Sequence, residues 1–116
     1  HKIIEKKVAP ILNSDIPTYF VLIDNLRYDQ WKILEQDIIA DYKIISDDMY
    51  SSILPTSTQY SRNSIFSGLL PLDIQNKYPQ FWKNDQDDGG KNLFEEELLL
   101  KNLKRLGKDT SKIFKK

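Results

Sequence analysis

The sequence contains no cysteine, which excludes disulfides and thiolate metal sites and fits a reducing compartment. Its single histidine is His1, far along the chain from every motif described below. No charge sign prevails, because 17 basic and 17 acidic side chains cancel. A neutral chain exerts no general attraction on nucleic acid or on an anionic membrane, so neither is expected as a partner. Long apolar runs are missing too: nothing approaches the roughly 20 residues of a membrane span, and the N-terminal residues lack a signal-peptide apolar region. A soluble cytoplasmic protein is therefore expected. Internal repeats and long low-complexity tracts are also absent. At 116 residues the chain is one small domain or part of a larger one.

What is present centres on residues 53–71, ILPTSTQYSRNSIFSGLLP. Ile53 and Leu54 read as the end of a buried strand, and Pro55, without an N–H, ends strand pairing. Thr56, Ser57 and Thr58 are all good helix N-caps, and Gln59 to Ser67 then read as a helix closed by Gly68. The first N–H groups of such a helix lack internal partners. An anion over Thr58 would meet those donors and the positive end of the dipole. Arg62 lies one turn further on the same face, where its guanidinium can help to hold that anion. The plain alternatives stay open on position alone: Thr58 as a simple cap, and Arg62 as a solvated surface arginine.

Around this helix the chain reads as alternating elements. Ile3, Ile4, Val8 and Ile11 fall at helical spacing, interrupted by Pro10, so residues 1–15 are expected to hold the end of a connecting helix and a linker. Residues 18–24, TYFVLID, are aromatic and β-branched without alternation, the pattern of a central parallel strand covered on both faces. Trp31, Leu34 and Ile38 predict an amphipathic helix over residues 30–39 packing on the sheet. Residues 42–46 give a second strand, and DDMYSSIL leads through an acidic turn to a third; Asp47 and Asp48 read as solvated turn residues. After Gly68, Pro71 opens a segment containing Tyr78, Phe81 and Trp82, aromatics that pack under a loop or stack a nucleobase. NDQDDGG, residues 84–90, reads as an exposed loop whose acidic spacing lacks the further ligands of a calcium loop. Asn92 with Glu95 resembles a capping box, and Leu99, Leu103 and Leu106 continue as a helix with Gly107 as its C-cap; residues 111–114 begin a fourth strand.

The segment TQYSRNSIFSGLLP resembles the nucleophile segment of the alkaline phosphatase superfamily, whose sulfatase branch carries C-x-P-S-R and a small-residue-Gly-Leu-x-Pro ending. Thr58 stands where that nucleophile would be. Ser61 and Arg62 match the S-R pair, Ser67, Gly68, Leu69 and Pro71 match the ending, and Tyr60 replaces the family proline. The nucleotide pyrophosphatase branch, with P-T-K-T-F, gives the same register through Pro55, Thr56 and Thr58, with Ser57 in place of its lysine. The sequence is most similar to the PglZ branch, as found in PorX-like response regulators. VLIDNLRYDQW resembles the superfamily's first motif, in which an aspartate at a strand end ligates a metal ion.

The resemblance implies an α/β fold: a three-layer sandwich with a mostly parallel sheet, of which residues 16–116 would form the N-terminal half. It implies Asp24 and Thr58 as metal ligands, with two zinc ions in the intact domain and most of their aspartate and histidine ligands elsewhere. Thr58 would be the catalytic nucleophile and Arg62 the catalytic cation. For Asp24 the plain alternative is an Asx-turn or a helix cap, with Asp29 capping the helix that follows and Arg27 paired with a carboxylate at the site rim. The implied activity is hydrolysis of a phosphate ester, a nucleotide being one candidate, by the output domain of a two-component response regulator. A threonine nucleophile points to phosphate over sulfate esters. From another class, the same scaffold would serve as a non-catalytic regulatory module that binds a signalling protein; a third reading is a dimerisation unit.

Overall fold

The computed structural model describes residues 1–12, 15–83 and 92–113. It divides into two compact units, His1–Tyr19 with Ser52–Lys116, and Phe20–Ser51.

The first unit is helical. A π-helix, Ile4–Val8, runs into a 3₁₀ turn, Ala9–Ile11, with Pro10 among its first positions. Ile4 and Ala9 are buried here while Ile11 is exposed. Helices α2 (Thr58–Ser67), α3 (Pro71–Lys77) and α4 (Glu95–Arg105) follow, with a 3₁₀ turn at Pro79–Phe81. The core consists of Ile4, Ala9, Ile65, Ile74, Leu98 and Leu103. Helix α3 begins on Pro71, whose fixed φ and missing N–H suit the first helical position, and it buries Ile74. Acidic residues crowd the first turn of α4 and Lys104 and Arg105 its last, each complementing the helix dipole.

Both glycine stops lie where expected. Gly68 takes φ 67° and its N–H donates to the Ser64 carbonyl at 2.9 Å. Gly107 takes φ 72°; its N–H bonds the Lys104 carbonyl at 3.0 Å and the Lys108 N–H bonds the Leu103 carbonyl at 2.9 Å, the two bonds of a Schellman motif. The capping box is different from expectation. Helix α4 starts at Glu95 itself, after Phe94, and Asn92 lies in the turn before it.

The second unit contains helix α1, Tyr28–Asp41, two residues longer at each end than the expected 30–39. Its start is fixed by Gln30 reaching back, with the Arg27 N–H donating to Oε1 at 3.0 Å. Asp29 is not the cap: it lies inside the first turn and takes a two-pronged contact from the Arg27 guanidinium at 3.0 and 2.9 Å. The apolar stripe is real but uncovered, because α1 buries none of its residues.

The expected parallel-sheet sandwich is not the fold. Among the described residues there is no strand and no sheet; an isolated bridge at Ile16 is all the extended pairing they show. Residues 18–23, 43–50 and 51–53 are irregular, and 111–113 form a turn rather than a strand. The physical reason is that a strand is made by its neighbours. A non-alternating apolar run states how a segment would be covered, but ladder bonds on both edges and helices on both faces must supply the cover. Here Tyr19 is 88% exposed, Val21 73% and Ile45 93%, so the run stays in water. The loop expectation for 84–90 and the last residue of the expected fourth strand lie outside the described residues.

Candidate active site

Thr58 is the first residue of α2, one position inside the cap. Ser57, extended at φ −61° and ψ 143°, is the N-cap residue. Its carbonyl receives the N–H groups of Tyr60 and Ser61 at 3.1 and 3.0 Å and the Ser61 hydroxyl at 3.1 Å. The backbone thus turns sharply into the helix, and Thr58 stands at its rim, half-buried.

Arg62, one turn on, is held by a carboxylate from another helix. Its Nε donates to Glu95 Oε1 at 2.5 Å and its Nη2 to Glu95 Oε2 at 2.8 Å, a fork-on-fork pair. The Glu95 side chain is 8% exposed and that of Arg62 25%. Two charges this well desolvated are tolerated because each satisfies the other, and removing one alone costs about 3–5 kcal/mol. Glu95 also occupies the first position of α4, where the helix dipole favours a negative charge.

The far end of α2 is tied to α4 as firmly. Asn102, fully buried, donates from Nδ2 to the Phe66 carbonyl at 3.0 Å. Arg105 donates from Nη2 to the Ser67 carbonyl at 2.6 Å and to Asn102 Oδ1 at 3.0 Å. These donors take up carbonyls that a helix C-terminus leaves without internal partners. Ser64 and Ser67 of α2 are buried, and among the described residues the Ser64 hydroxyl has no hydrogen-bond partner.

Sequence reasoning treated Glu95 as a capping residue and missed its pairing with Arg62. A signal was there: Glu95, Leu98 and Asn102 fall at i, i+3 and i+7, so a carboxylate and an amide share the stripe of a buried leucine and demand polar partners from the facing helix.

The aromatics pack on one another. Tyr60 meets Trp82 with ring centroids 5.8 Å apart, and Phe81 meets Tyr78 at 6.0 Å and Phe94 at 5.4 Å, all tilted. The Tyr60–Trp82 contact joins the first turn of α2 to the segment after α3.

Asp24 belongs to the other unit, so it and Thr58 do not share a compact body. It sits in a turn with Asn25, whose N–H donates to Asp24 Oδ1 at 2.9 Å. Asn25 adopts φ 57°, a left-handed conformation that asparagine tolerates better than most residues. Asp24, Asn25, Leu26, Gln30, Ile33 and Leu34 line an open concavity of ≈ 430 Å³. Nearby, the Arg27 guanidinium holds the Asp29 carboxyl below its usual range. Asp47 lies 3.4 Å from Lys32 Nζ, and Asp48 accepts from the Ser46 hydroxyl at 2.7 Å. Both are exposed, in an irregular stretch rather than the expected turn.

Among the described residues no three His, Cys, Asp or Glu side chains group so as to hold a metal. Asp24 and Thr58 could supply two oxygens, half of a tetrahedral shell.

A hydroxyl in the first turn of a helix with an arginine one turn on is suited to a tetrahedral anion, the substrate class of phosphatase-like domains. The profile of the BREX system PglZ alkaline phosphatase-like domain matches residues 3–114, and the chain belongs to that family. This places it in a phosphoesterase-like family. No curated protein matches the chain. Among the described residues no helix is long and apolar enough to cross a membrane.

Proposed function

We propose that this chain carries the nucleophile segment of a phosphoester hydrolase, with Thr58 as nucleophile and Arg62 as the cation that holds the phosphoryl oxygens. The observation that carries the reading is the placement of Thr58, half-buried on the first turn of α2 with Arg62 one turn further, in the register of the family's nucleophile. In the first step the Thr58 oxygen forms a bond to phosphorus, its proton passes to solvent, and the ester oxygen leaves with the bonding pair and is protonated. Water then attacks the phosphothreonine, restoring the hydroxyl and freeing phosphate from a monoester substrate or a phosphate monoester from a diester. Arg62 and the N–H groups of the first turn balance charge on the nonbridging oxygens. The wider reading is that residues 16–116 are the N-terminal half of an output domain in a response regulator, acting on a phosphate ester such as a nucleotide.

Replacing Thr58 by alanine in the intact protein is the direct test. Thr58→Ala abolishes hydrolysis of a nitrophenyl phosphodiester and leaves the circular dichroism spectrum unchanged; retained turnover rejects the nucleophile. The second reading, a regulatory module that binds a protein without turnover, draws support from one feature: the Arg62 charge is already matched by Glu95. On that reading neither wild type nor Thr58→Ala turns over substrate.

A further inference from the structure

We propose that Glu95 is the positioning residue for Arg62: the carboxylate at the start of α4 fixes the guanidinium so that an anion at Thr58 meets it in one orientation. The inference rests on the reading of Thr58 and Arg62 just given and deepens it. Arginine has a long side chain whose rotamer freedom must be removed before its fork can serve a reacting group. Glu95 removes it by gripping both Nε and Nη2, at 2.5 and 2.8 Å. The grip is itself rigid, because Glu95 is 6% exposed and begins a helix bound to α2 again through Asn102 and Arg105.

A competing role for the pair is a gate, in which Glu95 mimics the phosphate and must leave before substrate binds. Burial argues against it. An anion that displaced Glu95 would strand a desolvated carboxylate without its cation, the most unfavourable outcome for a buried pair. Glu95 therefore stays paired while substrate binds, and Arg62 acts from a fixed position.

The two roles predict opposite signs. In the intact protein, Glu95→Gln keeps the shape but offers an N–H₂ to one of the arginine donors, so one prong is lost. Positioning predicts a fall in kcat/KM on the order of 10²-fold, the loss that about 1 Å of misplacement brings, with weaker inhibition by inorganic phosphate. It also predicts that Glu95→Gln has no further effect in an Arg62→Ala background, a coupling that a purely structural role would not show. Turnover equal to or above wild type with tighter phosphate binding overturns the proposal in favour of a gate. Equal losses in both backgrounds overturn it in favour of a structural role. Should Glu95→Gln not fold, Glu95→Asp, which keeps the charge and withdraws it by one methylene, carries the same comparison. If Thr58→Ala keeps turnover the parent reading falls alone, since direct titration with inorganic phosphate still reports whether Glu95 acts through Arg62.

Discussion

Replacing Gly68 by alanine tests the α2–α4 contact with two separable penalties. The backbone there has φ 67°, a left-handed conformation that costs an L-residue with a Cβ about 1–2 kcal/mol. The added Cβ would lie 2.8 Å from Asn102 Oδ1, 2.9 Å from Nδ2 and 3.1 Å from Cγ, well inside van der Waals contact. Asn102 cannot yield without breaking its bonds to the Phe66 carbonyl and to Arg105, and it is fully buried. Losing those bonds in a desolvated interface adds about 1–3 kcal/mol. The expected loss for Gly68→Ala is therefore about 2–5 kcal/mol, read as a shift in the urea midpoint at constant slope. Asn102→Ala makes room for the methyl group, so in that background the same substitution should cost only the backbone part, about 1–2 kcal/mol. Equal losses in the two backgrounds would refute the close approach of Gly68 to Asn102.

Two further outcomes are expected. The Arg27 hydrogen bond depresses the Asp29 carboxyl below its ordinary 3.8, so the pair supports the α1 start above that value and the support is lost as pH falls through the lower, folded value; a carboxyl titration by NMR with its midpoint at or above 3.8 contradicts the pair. Val21, 73% exposed, should accept aspartate within about 0.5 kcal/mol of stability, whereas Ile74→Ala in the core should cost about 2–5 kcal/mol; a loss of several kcal/mol at Val21 would mean that the residues around it are covered.

The parts of the chain that were legible are those whose signals are local. Gly68 and Gly107 stop helices because only a residue without a Cβ takes positive φ cheaply, a property that needs no knowledge of the remaining fold. The start of α2 after the Thr56, Ser57 and Thr58 hydroxyls was legible for the same reason, to within one residue. Helix α3 was not legible: Pro71 opens a new segment in the sequence, but the seven residues of the helix give a periodicity too brief to stand out.

The failures share an opposite cause, since each depends on residues far apart in sequence. Residues 18–24 were assigned to a covered strand on composition, and composition describes a demand for burial that the described chain does not meet around Tyr19 and Val21. Arg62 was given an anion partner from its place on α2, yet its nearest counter-charge comes 33 residues later, from Glu95. Such a pair leaves a trace only as one charge inside α2 and another at the start of α4, and either charge by itself is indistinguishable from a solvated residue or a cap. That is why the family could be recognised from a short segment while the arrangement around its arginine could not. The family's motif is written in contiguous residues, whereas the carboxylate that pairs with Arg62 comes from a helix that folds onto α2 from elsewhere in the sequence.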